Sequence, residues 1–358
     1  MNTQKSTSTI IPVDLIRVVA IFAVLFLHAV VYASNDTFIP NGLEVLRGWI
    51  VNIYLCFGRM GVPLFVMLTG ALLLAPVKEH ESLSIFFKKR LSRIGLPFLF
   101  WGAVYFFWDI FIEHQQLTSA FIINGVLSGP YITFWYLYML AGLYLLTPML
   151  RVMVAHFTTK HFKYFICLWI VGITLIPFIK LISHGQYALG GDLFVIPLWV
   201  GYFIMGVYLV NVQIQRRILV ALTVLGLALT AIATYIMAWA GGVSVFYFQE
   251  YESPTVILAV VSLFMLLNSY AKPQVSLAAN HAWKYRILNV ISENSLAIYL
   301  LHMIPLYLIK EGYFGFSLHA FSVDSIIGVP LLAILTLMLS LIIIIPLKKI
   351  PYLKKFIG

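Results

Sequence analysis

One apolar run near the N-terminus carries three ionisable side chains, Asp14, Arg17 and His28. Histidine titrates near neutral pH and so serves as a general base or a nucleophile. Arginine stays charged and holds anions through a planar fork of donors. Arg17 and His28 stand eleven residues apart, about three helical turns, so a helix places both on one face, separated by roughly 16 Å along its axis. Asp14 precedes Arg17 by three and can pair with it on that face. For His28 alone, a hydrogen-bonded packing role weighs as much as a general-base role.

Four further stretches bear on that choice. In Arg59-Met-Gly-Val-Pro63-Leu-Phe65, an arginine sits inside an apolar segment. It could bind a backbone carbonyl freed by Pro63, or an acceptor oxygen or developing oxyanion. Lys88-Lys89-Arg90-Leu-Ser-Arg93 crowds four cations before another apolar segment. Such a cluster is ordinary flanking charge, or it grips a multiply phosphorylated ligand. Phe134-Trp135-Tyr-Leu-Tyr reads first as an interfacial aromatic belt. Ile291-Ser292-Glu293-Asn294-Ser295 through Tyr299 and His302 reads as a capped helix start, with Ser292 or Asn294 as cap, Glu293 in the first turn and His302 deep in the span. Two intramembrane histidines favour a polar cavity over two separate accidents. His319-Ala-Phe-Ser-Val-Asp324 fits an H-x4-D spacing, but nine histidines make one such match unremarkable. Cys56 and Cys167 fall in apolar runs and read as small buried hydrophobes; no metal site is expected.

The elements that must carry these residues are membrane helices. Of 358 residues, 62% are hydrophobic and 10% charged, and mean hydropathy is +0.97, which places the chain in the polytopic membrane class. Ten spans are expected near 10–33, 50–75, 94–112, 134–153, 164–183, 193–211, 218–240, 254–271, 289–309 and 326–347, each about 20 residues long as a ~30 Å hydrocarbon core requires. Alternating the connections puts all of the 23 Lys and Arg on one side except Arg47, Arg59, Lys180 and Lys310. By the positive-inside bias both termini are then cytoplasmic. The net charge of +10 is therefore a topology signal with contact to anionic lipid, not a nucleic-acid footprint. A cleaved signal peptide ending near Val31-Tyr-Ala33 is the rival reading of the first span, but Asp14, Arg17 and His28 interrupt it. The expectation is an all-α bundle forming one transmembrane domain over 1–358, with no appended soluble domain.

Taken in order, these stretches resemble the acyltransferase 3 family of bacterial membrane proteins. Arg17, ten residues and His28 match its first-span signature. Phe65-x-x-x-Thr69-Gly70 matches its second-span pattern, with Thr for Ser. Arg90-x-x-Arg93-x-x-x-Pro97 is similar to its cytoplasmic basic motif. Trp135-Tyr-Leu-Tyr, Tyr144-Leu-Leu-Thr-Pro148, Gly201-Tyr-Phe-Ile-Met-Gly206 and Ser295-x-x-x-Tyr299-Leu-x-His302 complete the likeness to its stand-alone glycan O-acetyltransferases.

The resemblance implies a cytoplasmic acyl donor, usually acetyl-CoA, with no resident cofactor. It also implies a hydroxyl acceptor on a lipid-linked or envelope glycan, in a bacterial plasma (inner) membrane. Lys88, Lys89, Arg90 and Arg93 would hold the CoA phosphates, and the pantetheine arm would pass Asp14 and Arg17 toward His28. His28 would act as base or acyl carrier, Arg59 would stabilise the oxyanion, and Glu293 would orient a partner. Trp135, Tyr299 and His302 would border the acceptor. The alternative is a transporter or flippase of a lipid-linked sugar, which intramembrane His and Arg would also serve; no matched pair of broken helices supports it. A non-catalytic envelope scaffold is a third reading.

Overall fold

The computed structural model describes residues 12–31, 44–75, 81–183, 196–239, 247–270, 282–319 and 324–358. Its helices are α1 (Val13–Val31), α2 (Glu44–Arg59), α3 (Gly61–Leu73), α4 (Leu83–Phe111), α5 (Ser119–Leu127), α6 (Trp135–Ala155), α7 (Thr159–Ile170), α8 (Ile176–Ile182), α9 (Leu198–Leu209) and α10 (Arg216–Trp239). They continue with α11 (Pro254–Asn268), α12 (Ala282–Glu293), α13 (Ser295–Leu301), α14 (Met303–Lys310), α15 (Ser325–Lys349) and α16 (Lys354–Ile357). No strand occurs among the described residues, so the all-α expectation holds.

Eight helical stretches among the described residues are long and apolar enough to cross a membrane. The two remaining expected spans differ in form. The one near 193–211 appears as the twelve-residue α9, and the first residues of that expected span lie outside the described ones. The one near 289–309 is divided among α12, α13 and α14. Asn294 interrupts it with φ −103° and ψ 5°. The second break, at His302, follows from Pro305, which has no N–H to give the carbonyl four residues earlier. Proline also divides the second span: Pro63 cannot donate to the carbonyl of Arg59, and α2 ends there. The topology charges Lys5, Lys78 and Lys272 lie outside the described residues.

The chain divides into two compact units. One takes Met1–Ala20, Arg59–Leu73 and Phe157–Ser292. Here α3 and α9 meet backbone to backbone: a Cβ on Gly70 would strike the carbonyl of Phe203, and one on Gly206 the carbonyl of Met67. Lipid tails offer no hydrophobic drive between helices, so small residues that permit close approach do the joining. Gly226 likewise faces Ala259, where a Cβ would sit 2.7 Å from the backbone nitrogen. Hydroxyls fasten the same α10–α11 pair, Thr223 Oγ1 donating to Ser262 Oγ at 3.0 Å and Thr230 Oγ1 to Thr255 Oγ1 at 2.8 Å.

The other unit takes Ile21–Gly58, Leu74–His156 and Glu293–Gly358. Long polar-tipped aromatics tie it together by reaching backbone carbonyls of distant helices. Trp101 Nε1 donates to the carbonyl of Ile357 (3.1 Å), Tyr105 OH to that of Leu300 (2.8 Å) and Tyr54 OH to that of Ile326 (2.9 Å). A tyrosine or tryptophan buried in hydrocarbon needs such a partner.

Candidate functional site

His28 lies in the last turn of α1. The preceding residue, Leu27, presses on Gly58 so closely that a Cβ there would stand 2.7 Å from that of Leu27. This contact fixes where the end of α1 sits against α2. The His28 ring faces that of His302, with centroids 4.9 Å apart and planes 52° apart. His302 is fully buried, and its Nδ1 lies 2.7 Å from the carbonyl oxygen of Tyr299. A carbonyl can only accept, so Nδ1 carries the hydrogen, and in the neutral ring Nε2 holds the lone pair. That Nε2 is buried with no hydrogen-bond partner among the described residues.

Tyr299 joins the pair to α6. Its hydroxyl donates to the carbonyl of Thr133 (3.1 Å), and its ring packs on Tyr136 with centroids 4.8 Å apart. Thr133 is itself buried, its Oγ1 unpartnered among the described residues. Two buried polar atoms without partners thus occur around one tyrosine. Each costs roughly 1–3 kcal/mol when left unsatisfied.

The same unit holds the basic cluster. The ring of Phe86 carries Arg151 at 4.7 Å and Arg90 at 5.3 Å, and Arg90 also lies 5.8 Å from the ring of Tyr144. Glu81 bridges two cations, Lys89 at 2.8 Å and Arg151 at 3.2 Å. The hydrogen bond from Lys89, with help from Arg151, holds the Glu81 carboxyl below the usual carboxylate range. Arg151 is only 6% exposed, whereas Lys88, Lys89 and Arg93 are exposed and Arg90 is half-buried. The cluster therefore has an inner pair of arginines packed on an aromatic ring and an exposed outer fringe of cations.

An apolar helical bundle, a charged first span and this ordered set of motifs meet one finding. The family described as acyltransferase domain, acyltransferase 3, matches residues 10–345, nearly the whole chain. The chain belongs to the acyltransferase 3 family. It is thus a multi-pass membrane acyltransferase. No curated protein and no solved structure matches it.

Within this acyltransferase, the remaining expected site residues fall in several places. Asp14 is on the first unit's part of α1, where Ser292 Oγ donates to its Oδ1 at 2.6 Å. Ser292 is therefore not a helix cap but lies inside α12. Asn294 does occupy the cap position of α13, without a side-chain cap hydrogen bond. Arg17 is half-buried in that same part of α1. Arg59 extends over the ring of Tyr251 at 5.5 Å, with its Nε buried and unpartnered among the described residues. Trp135 opens α6, half-buried, next to Tyr136. Glu293 is exposed at the end of α12, not in a first turn, and its carbonyl accepts from Lys348 Nζ at 3.4 Å.

Tyr136, Thr133, Glu81 and Arg151 escape the sequence reading as site residues. A positive flank hides Arg151, because positive-inside charge explains it equally well. Asp324 of the H-x4-D match caps α15 by accepting from the Ile326 N–H at 2.9 Å, and residues 320–323 between it and His319 lie outside the described ones. No group of three or more His, Cys, Asp or Glu placed to hold a metal ion occurs among the described residues.

Proposed function

We propose that this acyltransferase moves an acetyl group from cytoplasmic acetyl-CoA to a hydroxyl of a lipid-linked or cell-envelope glycan, in a bacterial plasma membrane. The observation that carries the reading is the company kept inside one compact unit. A histidine pair, one member of it fully buried, and an arginine pair on Phe86 both belong to it. A thioester donor with phosphates needs both kinds of group, one for transfer and one for grip.

In this scheme Arg90, Arg93, Lys88 and Lys89 hold the CoA phosphates by charge-assisted hydrogen bonds. His28 takes the proton of the acceptor hydroxyl as its oxygen attacks the thioester carbon, or first carries the acyl group itself. The carbon–sulfur bond breaks, and the CoA thiolate leaves and is protonated. Trp135 and Tyr299 border the acceptor. Water is kept from the thioester by the hydrocarbon surroundings, which favours transfer over hydrolysis.

The test uses purified protein in detergent, acetyl-CoA labelled in the acetyl group, and a bacterial membrane glycolipid extract. Label should pass to the lipid phase in proportion to the CoA released, and succinyl-CoA in place of acetyl-CoA should give less product. Donor bound and recovered intact in the presence of the extract would reject the reading and favour transport of a lipid-linked sugar.

A further inference from the structure

His302 is completely buried, so in this structure no substrate atom can touch it. It borders His28, which is half-buried and lies within ring contact. The Nδ1–H of His302 is committed to the Tyr299 carbonyl at 2.7 Å, and Tyr299 is anchored in turn through its hydroxyl to the Thr133 carbonyl. That anchoring fixes both the tautomer and the orientation of the ring. Its Nε2 lone pair has no donor among the described residues. The last torsion of a histidine is broad and roughly two-fold, so a modest turn of the His28 ring, at 4.9 Å between centroids, can aim one of its N–H groups at that lone pair.

We infer that His302 is a positioning residue that accepts an N–H of His28 at Nε2 and thereby fixes which His28 ring nitrogen carries the hydrogen. This deepens the proposed function and rests on its assignment of His28. When His28 takes the hydroxyl proton, it becomes an imidazolium in a medium of low dielectric, where an isolated charge is costly. An N–H···N bond to His302 spreads that charge, and the Tyr299 carbonyl on Nδ1 spreads it further. As the acceptor oxygen bonds to the acyl carbon, the carbon–sulfur bond breaks. The proton on His28 passes to the departing thiolate, which restores both neutral rings.

Two variants and three readouts separate this from a packing role. His302→Phe keeps a ring of similar shape without an acceptor, whereas His302→Gln keeps an acceptor oxygen without a base. With acetyl-CoA and the glycolipid extract, His302→Phe should lower kcat about a hundredfold, the lower range for loss of proton-transfer assistance, with KM for acetyl-CoA unchanged. His302→Gln should recover part of that loss. Carbethoxylation of His28 by diethyl pyrocarbonate, followed on the His28 peptide, should be slower in His302→Phe than in wild type and should need no donor at all. Unchanged turnover in His302→Phe overturns the inference. Equal loss in both variants with unaltered His28 carbethoxylation also overturns it. Slower carbethoxylation in His302→Phe, in a protein whose wild type releases no CoA from acetyl-CoA, upholds the inference and rejects the proposed donor.

Discussion

The two compact units use their conspicuous residues for opposite ends. In the first, Gly70, Gly201 and Gly206 are occupied entirely by packing, against Phe203, Trp169 and Met67. In the second, His302, Thr133 and Arg90 each bury a polar atom that finds no partner among the described residues. Among the described residues the first unit also buries unpartnered polar atoms, on Arg59, Trp169, Thr234 and Asn268; what sets the second apart is that two of its own flank one tyrosine, Tyr299. The glycines of the family pattern secure helices, and the proposed function assigns the chemistry to histidine and arginine side chains.

The largest effect that would break the contrast lies in the first unit. Gly70→Val must drive a branched side chain into the Phe203 backbone carbonyl, which cannot rotate away. Overpacking of this kind typically costs ~1–3 kcal/mol and sometimes more, so thermal unfolding in detergent should show a marked loss, with donor affinity per folded molecule unchanged. Lost transfer in a normally stable Gly70→Val protein would place chemistry where packing is expected.

Next comes Arg151→Leu in the second unit. It leaves Glu81 with Lys89 alone and removes one guanidinium from Phe86. A broken ion pair with one buried member should cost about 1–3 kcal/mol, below the fully buried case because Glu81 keeps 16% of its side-chain exposure. Binding of CoA, measured calorimetrically, should weaken as well. Stability falling with CoA affinity intact would assign Arg151 to structure and sharpen the division differently.

Gly58→Ala should have a smaller and more selective effect. The added methyl meets Leu27 at 2.7 Å and shifts the end of α1 that carries His28. Displacing a reacting group by a fraction of an ångström lowers turnover by roughly tenfold or more, with little change in donor binding. Equal losses in kcat and donor affinity would argue against a local cause.

The smallest effect concerns pH. The Glu81 carboxyl is held below its ordinary pKa of 4.5 by Lys89 and Arg151. A depressed acid stabilises the folded protein above its unfolded pKa, and that contribution disappears as pH falls through the folded value. The stability difference between wild type and Glu81→Gln should therefore be constant near neutrality and shrink below about pH 4.5. A difference that grew on acidification would contradict the pairing.

Much of this was legible in the sequence, and the limits have physical causes. Apolar length gave the membrane helices, because a hydrocarbon core tolerates little else. The spacing of Arg17 and His28 gave the charged first span, whereas His302, expected deep in its span, is fully buried but sits at the junction of α13 and α14. What pairs with what was not legible. Glu81 and Arg151 lie 70 residues apart, and Ser292 meets Asp14 across 278. No periodicity reports such distant partners, so Ser292 read as a cap. The break at His302 has a local cause in Pro305, yet a lone proline in an apolar run does not reveal whether the helix bends, stops or continues. For Thr133 the sequence shows only a residue type that departs from the family likeness; its burial beside Tyr299 needs the fold.

The proposed function assigns acyl transfer to His28 of the second unit. The most direct measurement compares wild type with His28→Ala for CoA release from acetyl-CoA and for acetyl-CoA binding, on the same preparations. Both proteins should bind the donor alike, and release by the variant should fall by roughly 10²–10⁴, the usual worth of a general base. Equal release by the two proteins, or no binding of acetyl-CoA by either, would contradict the account.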